Sequence, residues 1–321
     1  KDKRRETRIM KTRITELFKI EYPIIQGGMA LVSDAELTAA VSAGGGLGIL
    51  NSIGSPENLR AEIRRVRELT DKPFAVNVML LAKNVKDIIA VTIEEKVKII
   101  ATGAGNPRDY VPVWHEAGAL VMPVVPSAKV AKRMEESGVD AVVCEGGESG
   151  GHIGEVTTIS MIPVAKRICK IPVVAAGGIG SGRGIAAAFA LGAEGVQMGT
   201  AFIVADECRA SDAYKDAIIN AMESDTVVYV NGMSGRNCRT VRSELSDKYF
   251  EVLKAEGLEA AKALTATGLA VAMKSGETDK SLYLAGQSAG SVVKRQPAAA
   301  IIKELMDEAR TVALEQIEKW K

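Results

Sequence analysis

The most constraining feature of this sequence is a repeated alternation between short apolar runs rich in Val and Ile and longer amphipathic stretches. The spacing from one run to the next is roughly 20–30 residues, about the length of one strand followed by one helix. Near-continuous apolar strands are expected when helices cover both faces of a parallel sheet. The runs lie at 23–29, 46–51, 74–80, 98–105, 120–127, 141–146, 172–180 and 195–202.

Eight such units in a row favour a closed barrel over a doubly wound open sheet, which alternates strands and helices in the same way. Glycine and polar residues gather at the C-terminal ends of the runs. A closed barrel brings all of those ends to one face, where active sites form. We therefore predict an α/β fold, a (β/α)8 TIM barrel.

The stretches between the runs carry helical patterns. Residues 34–43 and 56–69 place apolar side chains three and four positions apart, and Ser33 or Asp34 suits the N-cap of the first helix. A final helix is predicted over 297–320. Its predicted apolar face consists of Ile301, Ile302, Leu305, Met306, Ala309, Val312, Ala313 and Ile317.

The rhythm breaks after Phe202, which predicts a subdomain inserted after the eighth strand. Residues 205–282 are too many for a simple loop and contain two or three helical stretches with one strand-like run at 226–230. We predict a cap or lid over 205–282 and a barrel over 10–204 and 283–321. The charged residues 1–9 are interpreted as an N-terminal extension or tag remnant.

Composition excludes several classes of function. With 41 basic and 40 acidic residues, the net charge of +1 does not fit a strongly basic nucleic-acid-binding surface. No run of about 18 apolar residues is present, so we predict no membrane span. The four cysteines form no CxxC pair, which predicts free thiols in a reducing cytoplasm and no zinc site.

Two glycine clusters predict a phosphate-binding site. GGIGSGRG (177–184) follows the seventh run, and Gly199 with Thr200 follows the eighth. Barrels commonly bind phosphate at these two loops through backbone N–H groups, although single glycines there would also suit ordinary turns. Neither G-x-G-x-x-G nor G-x-x-x-x-G-K-[ST] occurs, so the phosphate is assigned to a barrel-bound cofactor such as flavin mononucleotide (FMN).

Residues at the ends of the earlier runs suit a flat ligand. Gly27 and Gly28 let a ring lie against the backbone, and Met29 either packs on that ring or fills the core. Asn77 interrupts the third run with an amide that either bonds a heterocycle or is satisfied by backbone. Thr102, at the end of the fourth run, is a weaker candidate of the same kind.

His152 is the sharpest single candidate for catalysis. It lies in EGGESGGHIG (145–154), directly after the sixth run, and an imidazole suits proton transfer at neutral pH. The alternative is a solvent-exposed loop histidine. The other histidine, His115, lies on a helix that leads into the fifth run, and we interpret it as structural.

The pattern G-x-S-x-G, typical of serine hydrolases, occurs twice, at 147–151 and 286–290. A catalytic triad also needs a well-separated histidine later in the chain. Ser149 is followed only by His152, three residues away, and Ser288 by none. Serine hydrolysis is therefore disfavoured.

In this order along the chain, the motifs QGGMA, AGGGLGIL, VNVMLL, TGAGNP, PVVPS, EGGESGGHIG, AAGGIGSGRG, QMGTAF and LAGQSAG resemble the FMN-dependent enoyl-acyl-carrier-protein reductases II, the FabK type. The nitronate monooxygenases, in the same superfamily as 2-nitropropane dioxygenase, are sister enzymes. The resemblance runs from about residue 13 to the C-terminus and is least clear over 205–282. TGAGNP and PVVPS are closer to the reductase branch.

The resemblance implies an FMN-binding barrel in which NADH or NADPH supplies a hydride for a trans-2-enoyl thioester in fatty acid biosynthesis. His152 matches the active-site histidine of the family. It further implies a transient acyl carrier protein partner, a homodimer and a monovalent cation as a candidate ligand. The predicted cofactor contacts are Gly27, Gly28, Met29, Asn77, Thr102, Glu145, Gly150, Gly151, Gly177, Gly178, Gly199, Thr200, Gly286 and Gln287.

Several alternatives remain open at the level of sequence. The same scaffold would suit a nitronate monooxygenase or an NAD(P)H:quinone reductase. A non-catalytic barrel that binds a phosphosugar or a nucleotide is the alternative from another class. Glu145 and Glu148 would bind a cation or orient His152, and the sequence does not separate these roles.

Overall fold

The computed structural model describes residues 10–321, so the predicted extension over 1–9 lies outside the described residues. Eight parallel strands form one sheet, and helices surround it. These strands are β1 (Ile24–Gln26), β2 (Gly48–Asn51), β3 (Phe74–Met79), β4 (Ile99–Gly103), β5 (Leu120–Val125), β6 (Val142–Glu145), β8 (Val173–Ala176) and β9 (Gly195–Met198). The seventh strand in chain order, β7 (Gly151–His152), belongs to a separate small sheet.

The strand order is that of a barrel. Hydrogen-bonded neighbours run β1-β9-β8-β6-β5-β4-β3-β2. A parallel bridge between Ile25 and Leu47 then joins β1 to the start of β2 and brings the two edges together. The predicted (β/α)8 barrel is confirmed.

Alternation along the strands divides the apolar residues into an inner and an outer core. Ile25, Ile49, Ala75, Ala101 and Val143 belong to the inner core, which fills the barrel. Helix α1 (Arg13–Phe18) adds Ile14 and Phe18 to the same core and closes the N-terminal end. The intervening strand residues pack outward against the helices. The barrel is therefore a packed cylinder with an apolar interior.

The helices around the barrel begin where capping residues predict. Asp34 accepts a hydrogen bond from Leu37 N, and Ser55 accepts one from Asn58 N. The helices that follow the barrel strands, together with the C-terminal helix, are α2 (Ala35–Ala43), α3 (Pro56–Leu69), α4 (Val85–Glu94), α5 (Val111–Glu116), α6 (Ala128–Glu136), α7 (Thr158–Ile168), α8 (Gly182–Ala190), α9 (Thr200–Ile203) and α14 (Ala298–Lys319).

The predicted apolar face of α14 is wrong at its C-terminal end. Ile301 through Val312 pack against the barrel wall, but Ala313 and Ile317 are exposed. The periodic pattern continues in the sequence, but the helix extends beyond the wall that it covers. Periodicity alone cannot show where the packing partner ends.

The inserted segment contains more regular structure than predicted. Within residues 205–282, all of them described, there are four α-helices and two strands rather than two or three helices and one strand. The predicted strand-like run is β10 (Thr226–Val230), and it pairs in antiparallel register with β11 (Asn237–Val241). These elements are α10 (Asp212–Ile219), β10 (Thr226–Val230), β11 (Asn237–Val241), α11 (Glu244–Glu256), α12 (Leu258–Ala263) and α13 (Gly268–Lys274).

Strand β7, in the loop after β6, pairs with β11 and so joins this segment to the mouth of the barrel. The small sheet has the order β10-β11-β7. Separately, none of the helices in residues 10–321 is long and apolar enough to cross a membrane.

Candidate active site

The loops after β1 and β9 meet at the C-terminal mouth of the barrel. Gly27 N donates to Met198 O at 2.9 Å, and a β-carbon added at Gly27 would lie 3.6 Å from Gly199 Cα. Half-buried Met29 reaches the same place, since a β-carbon at Gly199 would lie 3.2 Å from its Sδ. Three predicted cofactor contacts therefore converge at one point of the rim.

Asn77 lies directly against Gly28. Its Nδ2 donates to Gly28 O at 3.3 Å, and a β-carbon at Gly28 would lie only 2.6 Å from Asn77 Cβ. Glycine is required at position 28 by this contact. The amide is thus partly satisfied by backbone, as the alternative interpretation of Asn77 expects, while its oxygen remains available at the mouth.

Two further polar side chains point into the barrel below the mouth. Glu145 follows Val143 on the inner face of β6, and Gln197 lies on the inner face of β9. The register links the two through Ala176, which pairs with both. Gln197 is buried, and its Oε1 has no hydrogen-bond partner among residues 10–321. Buried polar atoms without partners are rare, so Gln197 Oε1 is a candidate contact for a ligand.

The carboxyl group of Glu145 makes no hydrogen bond to the described part of the chain. Burial raises the pKa of its carboxyl group to about 7. Near neutral pH it therefore spends part of its time as a neutral acid, which is a hydrogen-bond donor as well as an acceptor.

The loop after β8 has the backbone of an anion-binding site. Gly177 and Gly178 both have positive φ, at 95° and 72°. The N–H groups of Gly178 and Ile179 make no hydrogen bond to any residue from 10 to 321. Successive free N–H groups in such a turn form a concave nest for an anion.

The segment after the inserted subdomain returns across the mouth. Gly286 N donates to Thr200 Oγ1 at 3.0 Å, and Gln287 N donates to Glu148 O at 2.9 Å. A β-carbon at Gly150 would lie 2.7 Å from Gly286 N. The fold thus brings three glycine-containing segments, far apart in sequence, into backbone contact.

His152 lies on β7, where it pairs with Cys238 of β11. Its Nε2 is 2.7 Å from Ser234 Oγ, in the turn between β10 and β11. Although the residue is partly exposed, burial of the ring lowers the pKa of His152, and nearby Arg236 adds to this effect. The imidazole is therefore neutral at pH 7 and held at one nitrogen, with Gly151 beside it at a φ of 70°.

Sequence reasoning missed two residues of the inserted subdomain that shape this loop. Ser234 is the described partner of His152. Arg239 donates to Gly147 O from Nη2 at 2.9 Å and to Thr226 Oγ1 from Nη1 at 3.0 Å. Both lie where the sequence resembles the family least, and no motif marks them.

Neither loop glutamate bonds to His152 in the described structure. Glu148 instead accepts hydrogen bonds from Thr158 N at 2.9 Å and Thr158 Oγ1 at 3.1 Å, at the start of α7. Residues 10–321 contain no group of three or more His, Cys, Asp or Glu that would hold a metal ion. The monovalent cation stays a prediction.

Two other candidate side chains do not face the mouth. Thr102 follows Ile100 on the outer face of β4, so alternation turns its side chain toward the helices, and we leave it out of the set proposed below. His115 Nε2 is 2.9 Å from Asp140 Oδ2, before β6 begins and so at the opposite end of the barrel. His152 is the histidine at the mouth.

The sequence model of the nitronate monooxygenase family matches residues 11–308. The chain belongs to this family. With its structural neighbours, this membership supports a flavin-dependent oxidoreductase.

Proteins with different names are similar to this chain. FabK from Thermotoga maritima is 42% identical in sequence and superposes with a TM-score of 0.92, covering 97% of this chain and 100% of that one. A (3aS,4S,5R,7aS)-5-hydroxy-7a-methyl-1-oxo-octahydro-1H-indene-4-carboxyl-CoA dehydrogenase from Mycobacterium tuberculosis is 38% identical over 256 residues, 78% of this chain and 72% of the relative. A probable nitronate monooxygenase from Staphylococcus saprophyticus is 36% identical, covering 75% of this chain and 81% of the relative.

Proposed function

We propose that this member of the nitronate monooxygenase family is an FMN-dependent enoyl-acyl-carrier-protein reductase. Its substrate would be a trans-2-enoyl thioester on acyl carrier protein, and NADH or NADPH would be the reductant. The observation that carries the proposal is the likeness to FabK over nearly the whole of both chains. A relative named as a carboxyl-CoA dehydrogenase adds support, because its substrate is also a thioester.

The mouth fits FMN by its own chemistry. The N–H groups of Gly178 and Ile179, unpaired within residues 10–321, suit a phosphate beside Gly177, and Gly199 and Thr200 lie at the next loop. Gly27, Gly28 and Met29 offer a flat wall of backbone and thioether for the ring. Glu145 and the unpartnered Oε1 of Gln197 would meet polar atoms of the cofactor from below. The remaining proposed cofactor contacts are Asn77, Gly150, Gly151, Gly286 and Gln287.

Bound FMN would supply the redox chemistry, accepting a hydride from NAD(P)H and passing it to the β-carbon of the enoyl thioester. The chain must hold the thioester so that its carbonyl oxygen meets a donor, because negative charge develops there as the hydride arrives. His152 suits this task. Its neutral imidazole carries one N–H, and Ser234 fixes the ring from the other side of the loop.

Nitronate monooxygenase is the second candidate. The family model and the Staphylococcus saprophyticus relative favour it. In that reaction His152 would act as a base or as an electrostatic partner for the substrate. The two candidates differ in their electron acceptor, so steady-state assays separate them.

The test combines spectra with two assays. We expect the purified protein to bind FMN, to be bleached by NAD(P)H and to be reoxidised by crotonyl thioester faster than by oxygen. Oxygen uptake with an alkyl nitronate that outpaces thioester reduction would favour the monooxygenase instead. A protein that binds no FMN would refute both.

His152→Ala tests the role of the imidazole, with His115→Ala as its matched control at the far end of the barrel. We expect His152→Ala to lower kcat for thioester reduction by about 100-fold or more with FMN still bound. His115→Ala should keep kcat within about twofold. Full turnover by His152→Ala would exclude the proposed role.

A further inference from the structure

Three exposed apolar side chains lie on consecutive loops at the mouth. Leu31 follows β1, Ile53 follows β2 and Leu81 follows β3, and they are 47%, 41% and 66% exposed. We refer to these three residues as the apolar rim. Single exposed apolar residues need no explanation, but three on neighbouring loops of the functional face form a patch that indicates a binding surface.

Hydrogen bonds hold the three loops side by side. Asn51 Nδ2 and Asn51 N both donate to Ser33 O, at 2.6 and 3.0 Å, which joins the first loop to the second. Asn84 Nδ2 donates to Gly54 O at 2.9 Å, which joins the second to the third. The apolar rim is therefore a fixed surface rather than three independent loop tips.

Leu31 adopts a backbone conformation that few side chains of its size accept. Its φ is 61°, in the left-handed region. The turn is held from both sides, since Ser33 N donates to Met29 O at 3.0 Å and Met29 N donates to Ser33 Oγ at 2.9 Å. Strain of this kind persists where the surrounding structure fixes it, often beside ligands. Here it keeps Leu31 outward, two residues from Met29.

The apolar rim lies across the mouth from His152. Around the barrel, β2 stands four strands from β6 in either direction, and β6 carries the loop with His152. The cap contacts that loop through Ser234 and Arg239. The mouth thus has the cap, with its contacts to the loop of His152, on one side and the apolar rim on the other, where Asn51 of β2 pairs with Asn77 of β3.

We propose that the apolar rim binds the acyl tail of the thioester substrate and sets the preference for chain length. This inference rests on the proposed function. A thioester carbonyl placed at His152 leaves its tail to extend across the mouth, and the opposite wall offers the three apolar side chains. The loops of the apolar rim lead directly to the contact between Gly28 and Asn77, two residues of the proposed FMN site. We therefore assign the apolar rim to the tail of the substrate rather than to a separate partner.

The experiment compares two substrates. The triple variant Leu31→Asn, Ile53→Ser, Leu81→Ser removes the apolar surface, and asparagine tolerates the left-handed backbone at position 31. We expect the ratio of kcat/KM for trans-2-decenoyl over crotonyl thioester to fall by about tenfold or more. Leu314→Ser is the matched control, because Leu314 is 56% exposed on α14, and it should leave the ratio unchanged. FMN absorbance per chain confirms that each variant is folded.

The outcomes separate the two proposals. If the parent protein reduces both thioesters and the triple variant keeps the parental ratio, the apolar rim proposal is overturned and the proposed function stands. If the parent reduces neither thioester, the proposed function fails and this inference falls with it. An unchanged ratio with a smaller mass by light scattering would make the apolar rim an interface between two copies of the chain, which also overturns the proposal.

Discussion

At the scale of single residues, the barrel mouth is defined by groups that the rest of the fold leaves unsatisfied. Within residues 10–321, Gln197 Oε1 is buried without a hydrogen-bond partner, and no basic side chain stabilises the buried carboxyl group of Glu145. Burying such groups costs free energy unless something pairs with them. In a family of flavin-dependent oxidoreductases, we explain these residues as groups that would pair with polar atoms of a bound cofactor.

The pH dependence of the stability of the Glu145→Gln variant tests this cost. The folded-state pKa of Glu145 is raised to about 7 from the ordinary 4.5. Below about pH 4.5 the group is neutral in both the folded and unfolded states, so it adds no penalty. Between about pH 4.5 and pH 7 the stability of the folded state falls as pH rises, because the buried carboxyl group loses its proton. Above about pH 7 the full cost of burying the charged carboxylate remains.

We therefore expect Glu145→Gln to raise Tm relative to the parent at pH 8 more than at pH 5, by a free energy of about 1–2 kcal/mol after allowing for partial exposure. Thermal denaturation of the two proteins without added FMN measures this. Exposed Glu259→Gln is the control and should show no such pH dependence. A Tm difference between Glu145→Gln and the parent that is equal at both pH values would contradict the expectation.

At the scale of elements, close approaches between helices decide which positions must be glycine. The extent of the barrel wall decides how much of a helix stabilises the fold. Helix α14 crosses α8 so closely that a β-carbon at Gly182 would lie 2.5 Å from Leu305 O and Ala309 N. Beyond Val312 the same helix touches nothing that buries it, and Trp320 is 90% exposed. The stabilising part of α14 is therefore its first four turns.

Deleting residues 313–321 should cost less than about 1 kcal/mol, because only exposed side chains and a frayed helix end are lost. Gly182→Ala should cost about 1–3 kcal/mol, because the added methyl group cannot be accommodated without moving α14. Urea denaturation followed by circular dichroism measures both. A truncation more damaging than Gly182→Ala would show that the terminal turns have a packing role in the folded protein.

At the scale of the whole molecule, the inserted subdomain and the barrel are joined at the loop after β6. Arg239 of β11 holds the loop after β6 through Gly147 O, and β7 extends the sheet of the subdomain into that loop. Partial burial lowers the pKa of Arg239, but the guanidinium stays charged at neutral pH. The position of His152 therefore depends on residues nearly a hundred positions away.

Arg239→Met should weaken this junction, because it leaves Gly147 O without its hydrogen-bond donor. We expect the free energy of unfolding to fall by about 1–3 kcal/mol. We expect faster hydrogen exchange over 145–154 and 226–241. Arg242→Met is the matched control, three residues on, where the exposed pair with Asp247 contributes little. Equal exchange in both variants would argue against a coupling role for Arg239.

The sequence determined the barrel, the final helix as far as Val312 and the glycine-bearing loops at the strand ends, because strand and helix periods and turn glycines are local signals. Only the tertiary structure decided that Thr102 faces outward, that Ser234 and Arg239 serve the loop of His152, and that Leu31, Ile53 and Leu81 form one surface. These facts depend on strand register and on contacts between distant segments, and no local pattern encodes either. Within residues 10–321, the periodicity of α14 gave no signal for where its packing ends, because that depends on the extent of the barrel wall.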